Sequence, residues 1–256
     1  MMIELMAHAA IHENPGLAFH GINNLRILKG IVLQAGNPAR ISVHSTKVRP
    51  IDAAFCCYVE IRGTLAGKEL LHVSGEVLLV DNLPNAVSPH IQSVPDRPYP
   101  LKIDEIYKMQ LFHGDLLRGI REITGWSPQG MTALSASATS PNTWMRDPWR
   151  NTWLSDPLAL DVAFQMMVLW TTQVAGAPSL PTSIETFRQF KSGFPENGVV
   201  IRISARQQGA YKAKADIEFL DRSDRLVAII EGYECIMNSS LREAFGRRTL
   251  EQHATA

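Results

Sequence analysis

The chain has 256 residues, 45% hydrophobic and 20% charged, and its 25 basic side chains balance 25 acidic ones. That is enough chain to bury a substantial core, with the composition of an ordinary globular protein. The charge balance leaves no basic stripe for nucleic acid and no acidic tail.

The segment Met2 to His12 repeats apolar residues at helical spacing (Met2, Leu5, Met6, Ala9) and stops before the turn signal Asn14-Pro15-Gly16. Four strand-like runs follow: Ile22 to Leu28, Arg40 to Val48, Ala54 to Ile61 and Leu70 to Val80. They are separated by Gly36-Asn37-Pro38, Arg49-Pro50 and the Gly63 to Gly67 stretch. Residues 81 to 100 carry five prolines (Pro84, Pro89, Pro95, Pro98, Pro100) without apolar periodicity and read as a stiff linker. Strand-like Leu116 to Ile123 and Met131 to Ala136 come next. A second helix is expected from Pro157 to about Val174, then four more strand-like runs: Ser183 to Phe190, Val199 to Ala205, Tyr211 to Leu220 and Leu226 to Met237.

Helix-then-four-strands therefore occurs twice over similar spans, which points to an internal duplication. A long helix wrapped by an antiparallel sheet is the hotdog arrangement. The expected fold is α+β, a double hotdog, with an N-terminal hotdog at 1–82, a Pro-rich linker at 83–104 and a C-terminal hotdog at 105–250. Only the second helix has strand-like segments ahead of it. The first hotdog is accordingly expected to begin partway through, lacking its first strand.

The three cysteines, Cys56, Cys57 and Cys235, cannot make a disulfide framework, so a reducing, cytoplasmic setting is expected. No uncharged apolar run reaches the roughly 18 residues of a membrane span. The opening residues include Glu4 and His8 and do not form a signal peptide. No membrane partner is expected.

The second helix is apolar almost all round, which marks it as buried, and Asp161 is the only charged residue between Asp156 and Glu185. A carboxylate there must find partners or keep its proton. Asp156 can cap the helix and Pro157 suits its first position. Asp161 then falls in the second turn, with Gln165 one turn on and on the same face. A proton-bearing aspartate held by an amide has the chemistry of a general acid. The competing reading is that Asp161 serves only the helix dipole or a neighbouring loop.

At these residues the chain resembles a family. The run from Asp156 through Leu160-Asp161 to Gln165 looks like the HPxxLDxxxQ motif of polyketide-synthase dehydratase domains. Leu111-Phe112-His113-Gly114 resembles the segment that opens the family's second hotdog, in the FHG form common in polyunsaturated-fatty-acid and enediyne synthases. Met2 to Ala10 resembles the helix after the family's HxxxGxxxxP motif, and Glu231-Gly232-Tyr233-Glu234-Cys235 its final strand.

The resemblance implies loss of water from a β-hydroxyacyl thioester on the phosphopantetheine arm of an acyl carrier protein. Asp161 would be the general acid, Gln165 its orienting partner, and a histidine the base that takes the α-proton. It further implies neighbouring synthase domains as partners, a possible homodimer, and no metal or other cofactor. His113 and Gly114 match a position near the mouth of the site, as substrate contacts; a structural role for His113 is the alternative. HxxxGxxxxP itself is absent. His12 and Gly16 have its first spacing, but Gly21 stands where the proline belongs, and the alignment puts His12 beyond the helix. His8 reads as structural. The usual HP histidine is Asp156, and the usual Phe-Gln is Leu117-Arg118. The chain by itself is therefore expected to be inactive. A product-template-like cyclase and a non-catalytic scaffold are the alternatives, with a hotdog thioesterase the weaker option.

Overall fold

Two helices, each cradled by antiparallel strands, organise the chain. The structure, a computed structural model, describes residues 1–31, 39–65, 68–92 and 97–242. The turn at Gly36-Asn37-Pro38, Gly67, Pro95 and residues 243–250 of the second hotdog lie outside the described residues.

Helix α1 spans Met2–Glu13 and buries Ile3, Glu4, Met6, Ala7, Ala10 and Ile11. Strand β1 is Ala18–Ile27, β2 Ile41–Ser45, β4 Ala54–Leu65 and β5 Lys68–Val80. Between them β3, Arg49–Ile51, pairs with β4 where the sequence suggested only punctuation, because Pro50 is tolerated on so short an outer segment. Helix α2, Ile103–Met109, begins inside the Pro-rich stretch. Its single apolar turn is too brief to show periodicity. Strands β6 (Ile120–Ser127) and β7 (Gly130–Ser135) precede α3, Pro157–Ala175. The part of the run expected from Leu116 that precedes β6 is instead a 3-10 turn, Asp115–Leu117. Strands β8 (Ser179–Gln189), β9 (Val199–Gln208), β10 (Lys212–Leu220) and β11 (Leu226–Met237) complete the second unit.

The duplication is visible in the pairing. The first unit runs β1-β5-β4-β2 across its sheet, and the second runs β8-β11-β10-β9 in the same sequential order, extended by β7 and β6. The two units join through antiparallel β1 and β8, with Gly21 opposite Arg188 and Ile22 opposite Phe187. The fold is thus α+β, a double hotdog whose described residues form one continuous antiparallel sheet of eleven strands. At the seam a Cβ on Gly21 would lie 1.9 Å from the Phe187 carbonyl oxygen, so only glycine lets the strands meet there.

Helix α3 buries Leu158, Val162, Met166, Leu169 and Trp170 against this sheet, each large side chain contributing about 1.5–3 kcal/mol. It is long and apolar enough to cross a bilayer, yet it lies two-thirds buried inside the fold. Asp156 caps it, accepting from the Leu158 and Ala159 N–H groups at 2.9 and 2.8 Å. Gly176 ends it in the left-handed conformation. The Pro-rich stretch is tied down partway: the buried Glu218 carboxylate on β10 accepts from the His90 and Ile91 N–H groups at 2.7 and 3.2 Å.

Candidate active site

Asp161 sits in the second turn of α3, its side chain 28% exposed. It is less buried than an all-apolar helix suggests, because a cavity of about 590 Å³ opens beside it. The cavity lies where the two hotdogs meet. Met2 and Ile3 of α1, Leu25 of β1, Phe164 of α3, Leu180 of β8 and Ile236 of β11 form much of its wall. Asp161 and Lys29 are the ionisable side chains among the described residues that line it.

One turn along, Gln165 is 1% exposed and fully bonded. Its Nε2 donates to Asp161 Oδ2 and to the Leu117 carbonyl, both at 2.7 Å. Its Oε1 accepts from the Tyr107 hydroxyl at 2.9 Å. That hydroxyl in turn accepts from the Ile120 N–H at 2.9 Å. The chain of bonds fixes which end of the amide faces the carboxylate. Tyr107 comes from α2 and was not a candidate in the sequence. Burial, with Asp161 adding to it, pushes its phenol up to about 12, so it remains a donor at neutral pH. The guanidinium of Arg118 lies 5.8 Å from its ring centre.

His113 approaches from the other side, in the segment between α2 and the 3-10 turn. Its Nε2 is 3.4 Å from Asp161 Oδ2, longer than the usual N–H···O bond, and its side chain is 9% exposed. The ring stacks on Phe112 with centroids 4.4 Å apart. Burial lowers its pKa, and the Asp161 charge opposes that shift. His113 is not among the residues lining the 590 Å³ cavity. Gly114 is the N-cap of the 3-10 turn, and its carbonyl accepts from the Leu117 N–H at 2.9 Å.

The structure therefore brings Asp161, Gln165 and His113 together, with Gly114 beside them in the chain. His8 and His12 lie elsewhere, against Trp149, with His12 4.8 Å from its ring. They line a second cavity, of about 430 Å³, together with Trp149 and Trp153. Asp156, at the HP-histidine position, is occupied in capping; its carboxylate also accepts from the Ala138 N–H at 2.9 Å. Among the described residues no group of three His, Cys, Asp or Glu side chains is arranged to hold a metal ion.

The profile of the family described as "Polyketide synthase dehydratase N-terminal domain" matches residues 87–244, more than half of the chain. The chain belongs to the polyketide synthase dehydratase family. The general activity of that family is hydro-lyase chemistry in polyketide or fatty-acid-like synthesis.

Other comparisons agree with this membership. The dehydratase domain from the CurF module of curacin polyketide synthase superposes with a TM-score of 0.71 at 16% identity. That match covers 93% of this chain and 83% of the other. The dehydratase domain of RzxB from Pseudomonas fluorescens gives 0.67 at 16% identity, covering 91% and 83%. A polyunsaturated fatty acid synthase polypeptide of Thraustochytrium sp. is 28% identical over 101 residues, which are 40% of this dehydratase-family chain and 4% of that protein.

Proposed function

We propose that this chain is the acid-bearing part of a dehydratase acting on a β-hydroxyacyl thioester carried on the phosphopantetheine of an acyl carrier protein. The carrying observation is the Asp161–Gln165 pair opening onto an apolar cavity of about 590 Å³. In the step, a base takes the α-proton and the C–H electrons form the carbon–carbon double bond. The β C–O bond breaks, and Asp161 gives its proton to the departing hydroxyl, releasing water. Gln165 holds the carboxyl in place. The apolar wall of the cavity excludes competing water and suits an acyl chain.

The relatives are named as domains of synthases, which supports neighbouring synthase domains and a carrier protein as partners. Three free thiols, all buried, support a cytoplasmic setting. No cofactor is assigned to the reaction.

No histidine is among the described residues that line the cavity, so the histidine base of this reaction would come from outside that wall. The 256 residues by themselves are expected to turn over slowly or not at all. Exogenous imidazole tests this directly. It should restore dehydration of a β-hydroxyacyl pantetheine thioester in the native chain and fail to do so in Asp161→Asn. Equal rescue of both proteins would remove Asp161 from the mechanism. Binding of the thioester without turnover under any supply of base would favour the non-catalytic scaffold, which the shortage of ionisable cavity groups also suits.

A further inference from the structure

The two oxygens of Asp161 have different surroundings. Oδ2 faces the Gln165 amide at 2.7 Å and His113 Nε2 at 3.4 Å, whereas Oδ1 has no hydrogen bond among the described residues. The hydrogen positions follow from burial. His113 Nδ1 is buried and has no hydrogen-bond partner among the described residues. Buried unpaired N–H groups are rarer in proteins than under-satisfied acceptors, so the bare lone pair belongs on Nδ1 and the hydrogen on Nε2. Nε2, the ring nitrogen nearer the carboxylate, then sets its N–H beside Oδ2, 3.4 Å away. The Gln165 amide cannot reverse, because its Oε1 is held by the Tyr107 hydroxyl.

We propose that His113 is a positioning residue whose N–H, lying beside Oδ2, adds to the Gln165 hydrogen bond on that oxygen and leaves Oδ1 as the oxygen that carries the transferable proton. A proton on Oδ2 would face the Gln165 amide hydrogen head-on and crowd the His113 Nε2–H, 3.4 Å from that oxygen. A proton on Oδ1 meets neither. The inference rests on Asp161 as the proton donor of the proposed reaction and adds the atom that donates. Burial lowers the His113 pKa, against the pull of Asp161, and so favours the neutral ring. Other groups in the electrostatic surroundings of Asp161 are the Met1 amino group and the Tyr107 and Tyr233 hydroxyls. Arg118 sits behind Tyr107.

The test separates the atom from the activity. Imidazole ¹⁵N spectra of the full chain, with the His113 signal assigned by its loss in His113→Gln, should show a neutral ring protonated on Nε2 at pH 7. The Nε2 resonance should move in Asp161→Asn. An Nδ1–H ring, or a His113 signal indifferent to Asp161→Asn, would overturn the proposal even if no dehydration were ever observed.

A kinetic comparison under imidazole rescue gives a second readout. A glutamine side-chain amide reaches the Nε2 position and an asparagine amide does not. His113→Gln should therefore retain roughly 10–100-fold more kcat than His113→Asn, with KM similar in both, the size of effect seen when an orienting partner is lost. Equal loss in the two variants would also overturn it.

Discussion

At the residue scale, Gln165 concentrates more bonding than any other side chain of the site. Its replacement by leucine, of similar volume, would take one hydrogen bond each from the Tyr107 hydroxyl, the Leu117 carbonyl and Asp161 Oδ2, the hydroxyl keeping the Ile120 N–H and the carbonyl the Gly119 N–H. Losing such buried bonds costs about 1–3 kcal/mol in all when part of the network stays paired, so Gln165→Leu should lower stability by about that amount. Tyr107→Phe removes one link of the same chain. The two losses should therefore be less than additive, with a coupling of about 0.5–3 kcal/mol in a denaturation double-mutant cycle. Strict additivity would mean that the two side chains do not act as one network. Asp161 was legible from sequence because a lone charge in an apolar helix is a local anomaly, and Gln165 because it lies one turn away. Tyr107 left no such signal, since a tyrosine in a short amphipathic turn looks like any other core residue.

At the element scale, α1 is fastened to the loop before α3 by a buried carboxylate. Glu4 accepts from the Leu154 N–H at 3.0 Å, the Ser155 N–H at 2.9 Å and the Ser155 hydroxyl at 3.2 Å. Glu4→Ala strands these donors and should cost about 3–5 kcal/mol, while Glu4→Gln, which keeps an acceptor, should cost about 1 kcal/mol at pH 7. Burial raises the Glu4 pKa, against the opposing effect of these three bonds. The native chain therefore gains stability relative to Glu4→Gln as pH falls from that raised value to the ordinary carboxylate range. Urea titrations at several pH values check both the ranking and the sign. A deficit in the native chain that grows toward acid would contradict the assignment. Glu4 gave no hint of this role in sequence, because its partners lie some 150 positions away.

At the scale of the whole molecule, one strand pair, β1 with β8, makes the two hotdogs a single sheet. Gly21→Ala would force a Cβ to within 1.9 Å of the Phe187 carbonyl oxygen across that seam. The expected loss is about 3 kcal/mol or more, since backbone rather than a flexible side chain must give way. Gly30→Ala, at a position open to space, should change stability by no more than about 0.5 kcal/mol. Comparable losses in the two variants, measured by chemical denaturation, would show that the seam does not limit stability. The cavity depends on the same pairing, because its walls come from both units.

Sequence by itself determined the repeated helix-and-strands pattern, the capped apolar helix and the position of its acid. All three are local properties, set by side-chain periodicity and by the chemistry of neighbouring residues along the chain. Tertiary structure decided what the acid meets. His113 and Tyr107 reach the Asp161–Gln165 pair from segments some fifty residues upstream. The strand order, the seam at Gly21 and the cavity between the units likewise depend on contacts between distant parts of the chain. Such contacts leave no periodic trace in one sequence, because each is fixed by the packing of a whole layer rather than by the residues on either side.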